Sequence, residues 1–213
     1  MNKFKSIKSI RKKLSSNQES IGSWIQIPNS SVAEIIGQIG FEWVAVDMEH
    51  GSISLNQLPD IFRALELGNT LPLVRLAQGN DKDCKQALDA GASGVIIPMV
   101  NNANELKKII NSCKWPPAGD RGVAFSRANI FGYKFESYKK EAQAPLIIAM
   151  IEDLTAVDNL ESILSVKGLD AILIGPYDLS ASIGVTGEFT NPKYIKIINN
   201  ILRTSKTNNV PVG

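Results

Sequence analysis

The chain has 213 residues, a length that suits one sizeable domain, and 44% of them are hydrophobic, as in an ordinary globular protein. A net charge of +2, without a basic stripe interleaved with aromatic residues, argues against a nucleic-acid partner. No apolar stretch approaches the roughly 18 residues of a transmembrane helix, so we expect no membrane partner. Cys84 and Cys113 are too few for a disulfide framework or a zinc cluster, which favours a cytoplasmic setting.

The N-terminal segment differs from the rest of the chain in its charge pattern. Basic residues alternate there with Ile7, Ile10 and Leu14 at helical spacing. A targeting peptide or a membrane-surface helix would show the same pattern. We favour a cap helix that lays its apolar stripe on the domain and keeps its basic face in solvent. The predicted organisation is a basic amphipathic cap helix over residues 1–21 and a barrel domain over residues 22–213.

From residue 22 onward, apolar strand patterns alternate with amphipathic helix patterns. Continuous apolar strands are typical of a parallel sheet covered by helices, and the first helical stripe consists of Val32, Ile35, Ile36 and Ile39. Repeated β–α units of roughly 20–30 residues, without an early dinucleotide fingerprint, favour a (β/α)8 TIM barrel over a doubly wound sheet. Seven strands are predicted, at Gly22–Ile27, Trp43–Glu49, Pro72–Leu76, Gly94–Val100, Leu146–Glu152, Ala171–Gly175 and Val210–Gly213.

The last of these strands is cut short. Val210–Gly213 resembles the beginning of a seventh strand, and no eighth strand or covering helix follows it. A barrel without those elements exposes two strand edges and core side chains. We therefore predict an α/β TIM barrel that is incomplete at its C-terminus. We expect the 213 residues alone to be oligomeric or aggregation-prone, and catalytically weak.

One connection, from Trp115 to Gln143, is much longer than the others. It contains two adjacent prolines, several glycines and aromatic residues that include Phe125, Phe131, Tyr133 and Phe135. Loops of this length in compact domains are usually functional or disordered, and the aromatic content favours a packed segment. We interpret it as a wall of the active site and include its Arg127 among the predicted substrate-binding residues.

Polar side chains follow the second and third predicted strands. Asp47, Glu49 and His50 come at the end of the second strand, and Arg75 lies near the end of the third. The C-terminal ends of barrel strands form one rim, which is where barrel enzymes carry their catalytic groups. His50 is the only histidine, so it is the only candidate for a near-neutral base. A packed structural histidine is the alternative, but the position of His50 after a strand favours a functional role.

Two carboxylates follow the fifth and sixth strands. Glu152 and Asp178 could supply oxygen ligands to a divalent cation, or they could form an acid–base pair. Arg75 nearby favours the metal, because a chelating 2-oxo acid would bind the cation and Arg75 would stabilise an enolate oxygen. Each residue also has a structural alternative: Asp178 could cap a helix, and Arg75 could pair with Glu49.

Seven segments of the chain, taken in order, carry a resemblance to a known family: GSWIQ, VAVDMEHG, PLVRL, GVIIPMV, WPPAGDRGV, IEDLTAVDNL and AILIGPYDLSASIG. They resemble the HpcH/HpaI class II pyruvate aldolases. That family includes 2,4-dihydroxyhept-2-enedioate aldolase and 2-keto-3-deoxy-rhamnonate aldolase. The resemblance runs from Gly22 to the end of the chain.

The resemblance implies a metal-dependent aldolase that cleaves or forms a 4-hydroxy-2-oxo acid from pyruvate and an aldehyde through a metal-bound enolate. It implies Mg, Mn or Co as the cofactor, a small 2-oxo acid and an aldehyde as partners, and a homo-oligomer. Glu152 and Asp178 would hold the metal, and Arg75 would bind the pyruvyl group and steady the enolate. His50, oriented by Asp47, would activate the water that exchanges a proton with the aldol hydroxyl.

The resemblance also places the substrate carboxylate against the backbone around Pro176, Tyr177 and Asp178. The chain departs from the family at Met150, where many members carry a glutamine, and the change removes a polar contact near the metal or substrate. Two other functions stay open. One is a citrate-lyase-β-like acyl-CoA lyase, and the other is a non-catalytic binding or assembly protein derived from a barrel. The DMEH segment and the Pro-Pro-Ala-Gly-Asp-Arg-Gly loop favour the aldolase.

Overall fold

Six parallel strands form a single sheet in the computed structural model, which describes residues 1–213. The strands lie side by side in chain order and are β1 (Gly22–Ile25), β2 (Trp43–Asp47), β3 (Leu71–Arg75), β4 (Gly94–Ile97), β5 (Leu146–Ile151) and β6 (Ala171–Ile174). The helices are α1 (Lys3–Ser15), α2 (Ser30–Gln38), α3 (Leu58–Leu67), α4 (Asp81–Ala90), α5 (Ala103–Cys113), α6 (Phe135–Ala142), α7 (Leu154–Asp158), α8 (Leu160–Leu164), α9 (Pro176–Ser182) and α10 (Pro192–Thr207). None of these helices is long and apolar enough to span a lipid bilayer.

This sheet corrects the predicted (β/α)8 TIM barrel. The six strands curl into a half-barrel, so the fold is a partial α/β barrel and the complete eight-stranded ring is not formed. The predicted seventh strand is reduced to one parallel bridge, between Val212 and Ile172 of β6. Closing a barrel requires a fixed number of staggered strands, and six strands with one bridge leave β1 and β6 at opposite edges.

The other six predicted strands are present, but each ends earlier than the apolar run suggests. The reason is visible after β2, where the chain turns out of the sheet at Asp47. The backbone N–H groups of Glu49 and His50 donate to the Asp47 side chain instead of to a neighbouring strand. Residues at the strand ends therefore project from the rim of the half-barrel.

The inner face of the sheet packs against α1. Ile7 and Ile10 of this helix are buried in one apolar cluster with inward-facing side chains such as Leu73, Ile96 and Met150. Burying a side chain of this size contributes about 1.5–3 kcal/mol. The helix α1 therefore covers the inner face of the half-barrel, and the division into a cap over residues 1–21 and a barrel domain over residues 22–213 stays a prediction.

Arg11 fixes the position of α1 at the N-terminal ends of the strands. Its Nε and Nη2 atoms donate to the two carboxylate oxygens of Asp170, at 2.7 and 2.9 Å. Its Nη1 and Nη2 atoms also donate to the carbonyls of Ala144 and Pro145, at 2.9 and 2.8 Å. Since these partners immediately precede β5 and β6, α1 closes the end of the half-barrel opposite the rim.

The apolar stripe predicted for the first helix after β1 is only partly packed. In α2 the fully buried residues are Ala33 and Gly37, and Ile36 packs half-buried against the core, whereas Ile35 and Ile39 are 65% and 63% exposed. A Cβ atom on Gly37 would lie 3.2 Å from the backbone of Leu65 in α3. The two helices thus approach each other through small residues, which allow a closer contact than the isoleucines would.

The long connection after α5 packs on the outside of the helices. Trp115 makes an edge contact with Tyr138, with ring centroids 5.2 Å apart. Arg127 Nη1 donates to Glu66 Oε1 at 2.9 Å and to the Ala90 carbonyl at 3.4 Å, at the C-terminal ends of α3 and α4. Those helix ends lie beside the N-terminal ends of the strands. Within this chain, the connection is therefore not a wall of the rim.

Glu141 of α6 makes the stability of this fold depend on pH. Burial raises the pKa of Glu141 from 4.5 to about 7; the Glu66 carboxylate adds to the rise, and Lys3 opposes it. A carboxyl that binds its proton more tightly when folded contributes stability at low pH, and this stability is lost as the pH rises through 7. We expect Glu141→Gln to increase the free energy of unfolding at pH 8 by about 1–2 kcal/mol, since the side chain is only partly buried.

Urea unfolding at pH 8 and pH 4.5 measures this difference, which should shrink towards the lower pH. The matched control is Glu136→Gln on the same helix, where the glutamate is exposed and pairs with Lys139. A surface pair of this kind should change the free energy of unfolding by less than about 0.5 kcal/mol at either pH. Equal stability of the wild type and Glu141→Gln at pH 8 would contradict the prediction.

Candidate active site

The C-terminal ends of the strands bring buried charged side chains to one place. Asp47, Arg75 and Glu152 are among the few charged residues in the interior, with exposures of 0%, 8% and 2%. The parallel register of β2 and β3 places Asp47 directly beside Arg75. Glu152 follows β5, and Asp178 lies in α9 after β6. We call this region the rim site.

The Asp47 carboxylate is fully occupied by hydrogen-bond donors. Its Oδ1 accepts from Arg75 Nε at 2.9 Å and from the backbone N–H groups of Glu49 and His50 at 3.0 and 3.1 Å. Its Oδ2 accepts from Arg75 Nη2 at 2.5 Å and Gln26 Nε2 at 2.7 Å. Burial alone would raise the pKa of Asp47, but the hydrogen bonds from Arg75, Gln26 and His50 outweigh it and lower the pKa to about 2.

Arg75 is held between two carboxylates and an aromatic ring. Besides its two bonds to Asp47, its Nη1 atom lies 3.2 Å from Glu49 Oε2, and its guanidinium lies 5.1 Å from the centre of the Trp24 ring. Burial would lower the pKa of Arg75, but the bonds and charges of Asp47 and Glu49 raise it, so the group stays charged. A guanidinium has five N–H donors, so N–H groups on Nη1 and Nη2 stay free for an anionic ligand.

Glu152 is positioned by backbone atoms of two neighbouring strand ends. Its Oε1 accepts from the backbone N–H of Met99, after β4, at 2.6 Å. A Cβ atom on Gly175 would lie 2.5 Å from Glu152 Oε2, so a glycine is required at the end of β6 for the carboxylate to fit. Burial raises the pKa of Glu152; Glu49 and Asp178 add to the rise, while the Met99 N–H and Arg75 oppose it.

Carboxylates outnumber cations at the rim site. Glu49 and Asp178 both act electrostatically on Glu152, so the three groups are close enough to repel one another. No group of three or more His, Cys, Asp or Glu side chains is arranged to hold a metal ion by itself. The carboxylates of Glu152 and Asp178 are hard oxygen donors, the ligand type that suits a cation that keeps water and substrate as its other ligands.

The His50 imidazole is 58% exposed, and its nearest carboxylate is that of Glu49. His50 Nε2 lies 4.0 Å from Glu49 Oε2. The contact between His50 and Asp47, in contrast, is made by the His50 backbone N–H, which donates to Asp47 Oδ1, and not by the ring. In this structure Asp47 therefore orients the loop that carries His50, and the imidazole itself faces Glu49.

Of the remaining predicted substrate-binding residues, three lie at the rim and one lies at the opposite end of the sheet. Pro176 begins α9, and Tyr177 and Asp178 are exposed in its first turn. Met150 points into the apolar interior of the half-barrel, in one cluster with Ile148 and Leu73. Arg127 does not join the rim site, because it is paired with Glu66 at the opposite end of the sheet. The substrate-binding roles of Pro176, Tyr177, Asp178 and Arg127 stay predictions.

Three components of the rim site were not predicted from the sequence. Gln26 donates to Asp47, the Met99 backbone donates to Glu152, and Gly175 leaves room for the Glu152 carboxylate. Gln26 and Met99 both follow strands, so the rule that barrel sites form at strand ends could have included them. The requirement at Gly175 depends on the distance between β5 and β6, for which the sequence carries no signal.

A parallel half-barrel with acidic side chains, an arginine and a histidine at its C-terminal rim defines a class of α/β-barrel enzymes. Residues 20–212 match the HpcH/HpaI aldolase/citrate lyase family, and the chain belongs to that family. It is 36% identical over 189 residues to a hydroxypyruvate/pyruvate aldolase of Roseobacter denitrificans, covering 87% of this chain and 73% of the relative.

Two further similarities agree with this assignment. The chain is 34% identical over 196 residues to a 2-keto-3-deoxy-L-rhamnonate aldolase of Escherichia coli (strain UMN026), covering 91% of this chain and 73% of that protein. Its structure superposes on the crystal structure of an HpcH/HpaI aldolase/citrate lyase family protein from Burkholderia cenocepacia J2315. That superposition has a TM-score of 0.90 at 29% identity and covers 96% of this chain and 83% of the other.

Proposed function

We propose that the chain is a carbon–carbon lyase: a metal-dependent aldolase that cleaves or forms 4-hydroxy-2-oxo acids from pyruvate and an aldehyde. The observation that carries the proposal is the rim site, where a charged Arg75 with free N–H groups lies near the Glu152 carboxylate, and Glu152 in turn lies near Asp178. The aldolases among its relatives support the reaction class. The family is generally metal-dependent, and self-association, which the resemblance implies, stays a prediction.

In this proposal Glu152 and Asp178 hold a divalent cation, for which Mg, Mn and Co are the candidates. When bound, the cation supplies Lewis-acid polarisation of a 2-oxo group. Arg75 donates N–H groups to the oxygen that gains charge as the enolate forms. Because Asp47 fixes the guanidinium before substrate arrives, little reorganisation is needed at that step. His50, exposed beside the site, moves a proton between water and the aldol hydroxyl.

The proposal is tested by incubating the purified protein with pyruvate and a panel of aldehydes, in EDTA and after addition of Mg, Mn or Co. We expect aldol formation that EDTA abolishes and a cation restores. Turnover that exhaustive chelation does not change would contradict the proposed mechanism. Cleavage of a citrate-type acyl-CoA substrate in place of a hydroxy-oxo acid would favour the acyl-CoA lyase. A folded, cation-loaded protein without any turnover would favour the non-catalytic alternative.

His50 is expected to act in proton transfer and not in cation binding. We expect His50→Ala to lower kcat by about 10²–10⁴-fold, the usual contribution of a general acid–base group. Cation affinity should be unchanged, since the ring does not contact Glu152 or Asp178. Steady-state kinetics measure kcat, and a Mn²⁺ titration measures the affinity for the cation. The control is Asn56→Ala, at an exposed position. A wild-type kcat in His50→Ala would show that His50 has only a structural role.

A further inference from the structure

Glu49 is the one carboxylate of the rim site that has no assigned role. Its Oε2 atom is buried and accepts no hydrogen bond. The same atom lies 3.2 Å from Arg75 Nη1 and 4.0 Å from His50 Nε2. Buried carboxylate oxygens in proteins are nearly always hydrogen-bonded, so this oxygen is an open acceptor beside two donors.

Asp47 cannot be the hydrogen-bond partner of the His50 ring. A carboxylate has roughly four lone-pair sites, and Asp47 already accepts from Arg75, Gln26 and two backbone N–H groups. Displacing one of these donors would leave another buried polar group unpaired. The free acceptor beside the imidazole therefore belongs to Glu49, the residue next to it in the chain.

We propose that Glu49 is the positioning residue of His50. A movement of the exposed imidazole by about 1 Å brings Nε2–H into hydrogen-bond distance of Glu49 Oε2. The proton is then held on Nε2, and Nδ1 is left as the basic nitrogen that takes or returns the proton of the aldol hydroxyl. This inference rests on the proposed aldolase function for its kinetic consequence, but not for the contact itself.

Arg75 keeps Glu49 in the required place. The charges that act on the Glu49 carboxylate come from Arg75, His50, Asp47 and Asp178, and Arg75 is the strongest attraction among them. Arg75 is itself held by Asp47, so Asp47 positions Arg75, Arg75 positions Glu49, and Glu49 positions the imidazole. Loss of Glu49 should therefore disturb the His50 ring and leave Asp47 and Arg75 in place.

The contact can be tested without any turnover, because His50 is the only histidine of the chain. The imidazole ¹⁵N chemical shifts report which ring nitrogen carries the proton, and one pair of signals is expected. Glu49→Gln removes the charge and keeps the shape of the side chain. We expect it to shift the Nδ1 and Nε2 signals, whereas Glu42→Gln, which removes a carboxylate paired with Lys13 before β2, should leave them unchanged.

The kinetic test separates Glu49 from Arg75. In Glu49→Gln we expect kcat for aldol cleavage to fall about tenfold, with KM within about twofold and hydrogen–deuterium exchange of the pyruvate methyl group within about threefold of wild type. Asp47→Asn should lower both cleavage and exchange, because it releases Arg75. Wild-type ¹⁵N signals in Glu49→Gln would overturn the proposal, as would an equal loss of cleavage and exchange. Absence of all turnover in the wild type would refute the aldolase function and leave the NMR test valid.

Discussion

Replacing Glu152 by glutamine should abolish cation-dependent turnover while the protein stays folded. Glu152 and Asp178 are the only two protein ligands proposed for the cation, and a neutral amide at one of them leaves too little charge to hold a divalent ion that keeps several waters. The glutamine retains an oxygen for the Met99 N–H, which Glu152 binds at 2.6 Å. We expect kcat/KM to fall by more than about 10³-fold, the size of effect that loss of the electrostatic catalyst produces.

Two measurements separate this effect from misfolding. A Mn²⁺ titration should show that Glu152→Gln and Asp178→Asn have both lost the cation. Thermal unfolding in EDTA should show that Glu152→Gln is at least as stable as the wild type, because burial and the nearby Glu49 and Asp178 make the charged form of Glu152 unfavourable. Glu105→Gln, an exposed acid in α5, is the matched control. Wild-type affinity for Mn²⁺ in Glu152→Gln would contradict the proposed ligand set.

Hydrophobic patterning predicted the strands of this fold but not the residues at which they end. Strands covered on both faces are continuous apolar runs, so all six strands were found from the sequence. Their ends were not found. After β2, for example, the backbone N–H groups of Glu49 and His50 donate to the Asp47 side chain and turn the chain out of the sheet. The packed face of α2 was predicted only in part. Its close approach to α3 depends on the absence of a side chain at Gly37, which hydrophobicity does not report.

Within the candidate site, the sequence predicted which residues lie at the strand ends, but it did not predict their hydrogen-bond and ion-pair partners. The strand-end rule brought Asp47, Arg75 and Glu152 together correctly, since parallel strands share one rim. The resemblance implies Asp47 as the partner of the histidine, and only the count of donors at each carboxylate oxygen favours Glu49 instead. The connection that carries Arg127 could pack at either end of the sheet. Nothing in its composition indicated that Arg127 would pair with Glu66.

The buried arrangement around Arg75 makes it difficult to replace even by another cation. The Asp47 carboxylate is 0% exposed and depends on two N–H groups of Arg75. Removing one partner of such a buried pair typically costs about 3–5 kcal/mol, because the remaining charge is left uncompensated. Arg75→Ala is therefore expected to lower stability as well as activity. Arg75→Lys is the better variant, because its ammonium still pairs with the Asp47 carboxylate.

The reaction that isolates Arg75 is exchange of the pyruvate methyl protons with D₂O, since it requires an enolate and no aldehyde. We expect exchange by the cation-loaded wild type, and a rate about 10²–10³-fold lower in Arg75→Lys, the usual cost of losing a donor to a developing oxyanion. Lysine keeps the charge but cannot hold Asp47 with two nitrogens while a third N–H group faces the substrate. Proton NMR of pyruvate follows the loss of the methyl signal directly.

Arg63→Lys, at an exposed arginine of α3 paired with Asp60, controls for the substitution itself. Exchange at the wild-type rate in a folded Arg75→Lys would show that enolate stabilisation does not depend on the guanidinium, and the rim site would then have to achieve it through the cation held by Glu152 and Asp178 alone.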